Sequence, residues 1–316
     1  MSAFEQLMKT RKPFLTDGGL ETWLFFQQGF EAPEFAALAV IDDSAARAAL
    51  DRYFDDFLAL AEQARTGFVL DTTTWRGCTV WAERLGVSEH ELLAMTGRSV
   101  EFANQVRERW QSRVDPILVN GVVGPAGDGY RPGEVPSAQH AADLHRPQIE
   151  ALANAGVDMI SAITITNIGE AVGIVADAVS VGLPVVVSFT VETDGLLPTG
   201  DLLGEAIEAV DAATGGAPAY YMINCAHPDH FRNAIASEER WIERIGGLRA
   251  NASRLSHEEL DGAEELDQGD PEEFGLLHGD LAGLLPNLRV VGGCCGTDTR
   301  HVRCVSAELI FEQPVC

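Results

Sequence analysis

The chain of 316 residues carries 48 acidic against 22 basic side chains, a formal net charge of −26 and a pI near 4.5. Such a balance repels phosphate backbones and anionic lipid, so neither nucleic acid nor a membrane surface is an expected partner. Hydrophobic residues make up 46% and charged residues 22%, which excludes a disordered chain and permits one large core.

Met1 to Pro13 lacks the apolar stretch of a signal peptide, and no apolar run reaches the about 18 to 20 residues of a membrane span, so a cytoplasmic location is expected. Lys9 and Lys12 are the only lysines and precede the first predicted strand, which in a barrel argues against Schiff-base chemistry. Apolar or β-branched runs predict strands at Phe14 to Thr16, Phe68 to Thr72, Ile117 to Val123, Met159 to Thr164, Pro184 to Thr190, Ala219 to Asn224, Ile245 to Ala250 and Leu288 to Val291. Helical periodicity or start signals fill Ser44 to Arg65, Ser88 to Arg113, Ser137 to Ala155, Asn167 to Val181, Asp201 to Ala213 and Thr299 to Phe311. Such alternation implies a parallel sheet, read as an α/β fold: a single-domain (β/α)8 TIM barrel over residues 1–316, with an open doubly wound sheet as the alternative. The polar interval Ser253 to Gly283 is expected to hold a helix and an acidic loop, over the barrel mouth or on the outside.

In such a barrel the C-terminal strand ends converge, which gathers Asp17, Thr72, Gly124, Thr164, Glu192, Cys225, Asn251 and Cys294. The run Gly292-Gly293-Cys294-Cys295-Gly296-Thr297 sets two thiols at a strand exit, and Cys225 ends another strand. Zinc takes about four ligands and favours thiolate, so Cys225, Cys294 and Cys295 are the candidate Zn2+ ligands, with the fourth position open as in catalytic sites. Buried small hydrophobes or an adjacent-cysteine disulfide are the competing reading. Six cysteines are too sparse for a disulfide scaffold, and free thiols are expected.

Asp17 could contact the substrate, Glu21 or Glu192 could bind an ammonium, and Thr72, Thr164 and Asn251 could orient polar substrate groups. Trp75, or else Trp23, could face a cationic donor. Turn capping, β propensity and packing would place the same residues equally naturally. His227 lies close enough to Cys225 to be considered as a fourth ligand.

Asp17-Gly18-Gly19-Leu20-Glu21-Thr22, Asn224-Cys225 and Gly292-Gly293-Cys294-Cys295-Gly296-Thr297 followed by His301 resemble the homocysteine S-methyltransferase family over nearly the whole chain. The resemblance implies a zinc-dependent barrel that moves a methyl group to the thiol of homocysteine, with zinc on the three cysteines and Asp17 on the acceptor. It further implies an S-methylmethionine-type donor rather than cobalamin. Partners are then a small-molecule thiol and a methyl donor. Many relatives carry a glutamate before the threonine after strand four, and Ile163 stands there. That change motivates another thiol acceptor or a demethylase; a noncatalytic zinc- or thiol-binding barrel is the remaining alternative.

Overall fold

The computed structural model describes residues 1–131 and 133–310. Its strands are β1 (Phe14–Leu15), β2 (Phe68–Asp71), β3 (Ile117–Val123), β4 (Met159–Ile165), β5 (Val185–Phe189), β6 (Tyr221–Asn224), β7 (Ile245–Ala250) and β8 (Val290–Gly293). All pair in parallel and in sequence order, and β8 returns to β1 through Phe14↔Val290 and Leu15↔Val291. The closed ring decides for the (β/α)8 barrel over the open sheet.

The strands are buried along their whole length because each has two apolar contacts. Phe14, Val69, Leu118, Met159, Val186, Tyr220, Met222 and Val290 point into the barrel and pack on one another. Their neighbours Leu15, Phe68, Leu70, Ile160 and Val187 face outward onto the helices. The period of two thus survives inside runs that are apolar throughout.

Helices form where expected at Ser44–Ala64, Glu89–Trp110, Ala138–Ala155, Ile168–Ser180, Leu203–Thr214 and Thr299–Leu309. Five of the six starts are capped by side chains: Asp43, Ser88, Ser137, Asn167 and Asp298 each accept a backbone N–H of the first turn, whereas Leu203–Thr214 has no side-chain cap. Among the described residues the α-helices Ala3–Lys9, Leu20–Thr22 and Pro228–Ile235 are additions to the expected set. The first carries the fully buried Leu7 into the interior cluster and so plugs the N-terminal end of the barrel. Lys12 Nζ donates to Ala64 O there at 2.6 Å.

The interval from Ser253 splits between both expected places. Its first half, with a short helix at His257–Asp261, lies over the barrel mouth, and the helix Pro271–Ala282 packs outside against Thr299–Leu309. None of the described helices is long and apolar enough to cross a membrane.

Candidate active site

The C-terminal end of the barrel holds a cavity of about 370 Å³. Asp17, Glu21, Thr72, Trp75, Thr164, Cys225, Cys294 and Cys295 all line it, as does Ile163. The Sγ atoms of Cys225, Cys294 and Cys295 lie within 4.8 Å of one another.

Glycines let the thiol loop sit this close to the ring. A Cβ on Gly292 would stand 2.5 Å from Thr16 Cγ2 and 2.6 Å from the carbonyl of Asp17. Gly293 N donates to Asp17 O at 2.8 Å and Gly19 N to Thr297 O at 3.1 Å, stitching the loop to the segment after β1. Two non-glycine residues at the site take left-handed backbone angles, Thr164 (φ 63°) and Cys225 (φ 53°). For a β-branched threonine this costs on the order of 1–3 kcal/mol. Asn224 holds the strained turn: its Oδ1 accepts from Thr164 N at 3.0 Å and its Nδ2 donates to Thr164 Oγ1 at 2.8 Å.

Each sulfur also meets a polar group. Thr164 Oγ1 lies 3.7 Å from Cys225 Sγ, Asn224 Nδ2 lies 3.9 Å from Cys294 Sγ, and Tyr130 OH lies 3.5 Å from Cys295 Sγ. Hydrogen bonds from Cys225 and Cys295, with the charge of Arg249, pull the Cys294 thiol well below its usual range. Its hydrogen bond pushes Cys225 the other way.

Beside the thiols lies a buried charge network. Arg249 on β7 binds the carboxylates of Asp17 and Asp71 through its two terminal nitrogens, and its Nε donates to Gly293 O at 3.2 Å. Burial opposes the guanidinium charge, but Asp71 and Asp17 hold its pKa well above the ordinary value. One cation cannot neutralise two acids, and burial raises Asp17 to about 7 against the pull of Arg249. Burial likewise raises Glu21 to about 7.

The remaining predicted site residues separate. Thr72 lies in the cavity wall, but its hydroxyl is engaged with Thr74 Oγ1 at 2.7 Å, Asn120 O at 3.1 Å and Val122 N at 3.0 Å. It braces β2 to β3. Trp75 donates from Nε1 to Ile163 O at 3.2 Å, while Trp23 packs on Tyr53 at 4.9 Å and stays out of the lining. Glu192 and Asn251 are not among the residues that line the cavity. Glu192 Oε1 pairs with His257 Nδ1 at 2.9 Å because its loop closes on itself through Glu192 N to Leu196 O at 2.8 Å. Asn251 N is tied to Ala226 O at 3.0 Å.

His227 caps the helix Pro228–Ile235, its Nδ1 accepting from Asp229 N at 3.2 Å. It is outside the sulfur group. His257 Nε2 meets Cys225 O at 2.7 Å, so both of its ring nitrogens are engaged, and its ring stacks on Tyr130 at 4.1 Å. Cys78, Cys225, Cys294 and Cys295 are free thiols, whereas Cys304 is disulfide-bonded, against the expectation of free thiols throughout.

Arg249, Asp71, Tyr130, Arg76 and His257 were not singled out by sequence. The available signal was a charge inside or ending an apolar strand, as at Asp71 and Arg249.

A closed parallel barrel with three thiols and a cavity at the C-terminal ends of its strands defines a class of enzymes that act on a ligand held at the barrel mouth. The chain belongs to the homocysteine S-methyltransferase family, whose model matches residues 14–309. It is a methyltransferase. Homocysteine S-methyltransferase 1 of Arabidopsis thaliana is 26% identical over 250 residues, covering 71% of this chain and 73% of that protein. Homocysteine S-methyltransferase of Escherichia coli is 36% identical over 94 residues, 27% and 30% of the two chains. The metallated form of the homocysteine methyltransferase MmuM from Escherichia coli shares the fold, with a TM-score of 0.72, 21% identity, and coverage of 97% and 99%.

Proposed function

We propose that this protein is a zinc-dependent S-methyltransferase that moves a methyl group from a small sulfonium or ammonium donor to a homocysteine-like thiol. The observation that carries the reading is the convergence of the Cys225, Cys294 and Cys295 sulfurs on one cavity. Three soft donors suit zinc, whose tetrahedral bonds of about 2.3 Å to sulfur require sulfurs about 3.8 Å apart; Cys225 Sγ and Cys294 Sγ stand at 2.7 Å and would have to move apart to hold it. No further histidine, cysteine or carboxylate of the described residues joins the group. That favours an open fourth position over the noncatalytic, closed site.

Zinc bound there would favour the deprotonated form of a substrate thiol at neutral pH. The protein's own groups set the surroundings. The hydroxyls of Thr164 and Tyr130 and the amide of Asn224 are placed to donate to the three cysteine sulfurs and fix their rotamers. Glu21, Asp128, Asp261, Glu265 and Asp267 add carboxylates to the cavity wall, an environment that attracts a cationic donor. Ile163 adds an apolar surface where a glutamate would meet an ammonium, which favours a second reading in which the thiol acceptor differs from homocysteine.

Zinc content of the purified protein and methyl transfer from S-methylmethionine to homocysteine test the proposal together. About one zinc per chain and product formation are expected. A metal-free preparation with full activity would refute the zinc chemistry, and transfer to other thiols alone would select the second reading.

A further inference from the structure

Arg76 differs from the other deeply buried cation of the site. Arg249 is neutralised by two carboxylates, whereas no carboxylate of the described residues forms an ion pair with Arg76, which is 7% exposed and lines the same cavity. Its guanidinium is held between two indoles, 4.0 Å from the Trp75 ring centroid and 3.9 Å from that of Trp81. Nη1 donates to Gly127 O at 3.0 Å, and Nε is buried without a hydrogen-bond partner.

The carboxylates whose charge reaches Arg76 are Asp128, Glu34 and Glu21, and none of them is in an ion pair with it. Glu34 pairs with Arg84 at 2.8 Å, and Asp128 Oδ1 accepts from the backbone of Tyr130 and Arg131 at 2.8 and 2.9 Å. The support is rigid as well. Gly124 N donates to Trp75 O at 3.0 Å, and a Cβ on Gly124 would approach that oxygen to 2.4 Å. A guanidinium offers five N–H donors in a planar fork, and two aromatic faces fix that plane without using the fork's edge. A buried, pre-oriented and unpaired guanidinium at a ligand cavity is a receptor for a planar anion.

We propose that Arg76 grips the carboxylate of a substrate of this enzyme, so that the cavity selects a carboxylate-bearing thiol or a carboxylate-bearing methyl donor. This rests on the reading that the cavity holds the reacting molecules. The two sources of the carboxylate are separated by matched probes: 3-mercaptopropionate against 1-propanethiol as acceptors, and (2-carboxyethyl)dimethylsulfonium against trimethylsulfonium as donors.

The experiment measures dissociation constants on the zinc-loaded protein from tryptophan fluorescence, since Trp75 and Trp81 bracket the guanidinium, and KM where turnover occurs. Wild-type protein is expected to prefer the carboxylate member of at least one pair by about tenfold or more. R76M, which keeps an apolar stem between the indoles, should abolish that preference while changing the neutral member less than about twofold; R76K, which keeps charge without the fork, should fall between. The pair that shows the effect identifies the source. Equal loss for both members would make Arg76 a brace for the loop at Gly127 and overturn the proposal. Absence of a wild-type preference in both pairs would overturn it without recourse to any variant. Because binding is read without turnover, a carboxylate preference in a protein that transfers no methyl group would refute the proposed reaction and retain the anion grip.

Discussion

Replacing Arg249 with methionine removes the cation that Asp17 and Asp71 share and leaves two buried carboxylates facing one another. Breaking a buried ion pair from one side costs about 3–5 kcal/mol, mostly as the penalty of the stranded charge. At this chain length each kcal/mol lowers Tm by roughly 2 °C, so a fall of roughly 6–10 °C is expected. The loss should depend on pH in a definite direction. Asp17 already titrates at about 7, against about 3.9 in an unfolded chain, and without Arg249 its folded-state pKa rises further. A group whose folded pKa is raised binds more protons when folded, so its cost is present above the folded pKa and fades as pH falls towards the unfolded value. Thermal and urea unfolding of wild type and R249M from pH 8 to pH 5, with zinc and again with chelator, measures this. The deficit should shrink on acidification, and the triple variant R249M/D17N/D71N should recover much of it. A deficit below about 1 kcal/mol at pH 8, or one that grows towards pH 5, would refute the account of a shared buried cation.

G292A places a methyl group against Thr16 and the Asp17 carbonyl, and should cost about 1–3 kcal/mol by overpacking; urea denaturation showing wild-type stability would mean the seam between β8 and β1 relaxes freely. His278 is fully buried, its Nδ1 on Phe274 O at 2.8 Å and its Nε2 without a partner, and burial lowers its pKa to about 4. The unfolded chain, with histidine near 6.5, binds the proton first, so stability drops as pH falls from about 6.5 to 4, by on the order of 3 kcal/mol. H278F should lack that component, and parallel pH profiles of the two proteins would exclude it.

Strands and helices were legible because each runs as a buried apolar segment or a capped amphipathic one, and both signals are local. The thiol triad was legible because strand order alone brings Cys225 near Cys294 once the ring closes. What escaped depends on neighbours that no local pattern records. Arg249 stands inside an apolar run and has meaning only against Asp17 and Asp71, from strands remote in sequence. Thr164 and Cys225 are poor residues for a left-handed backbone, and the Asn224 side chain that holds the Thr164 turn comes from β6. Glu192 and Asn251 occupy strand ends as expected, yet neither lines the cavity; the Glu192 carboxylate pairs instead with His257. Pro228–Ile235 is a short helix whose start is capped by a histidine, an uncommon signal.

The ring closes where β8 meets β1, and β8 also leads into the loop that brings two of the three sulfurs. Leu15 and Val291 pair across almost the entire sequence, a contact whose loop-closure entropy is among the largest in the chain. Until that strand docks, Cys225 stands alone, and neither the Arg249 network nor the cavity floor exists. Where that seam is open the three sulfurs are apart, so the thiol site and the closed ring depend on one and the same contact.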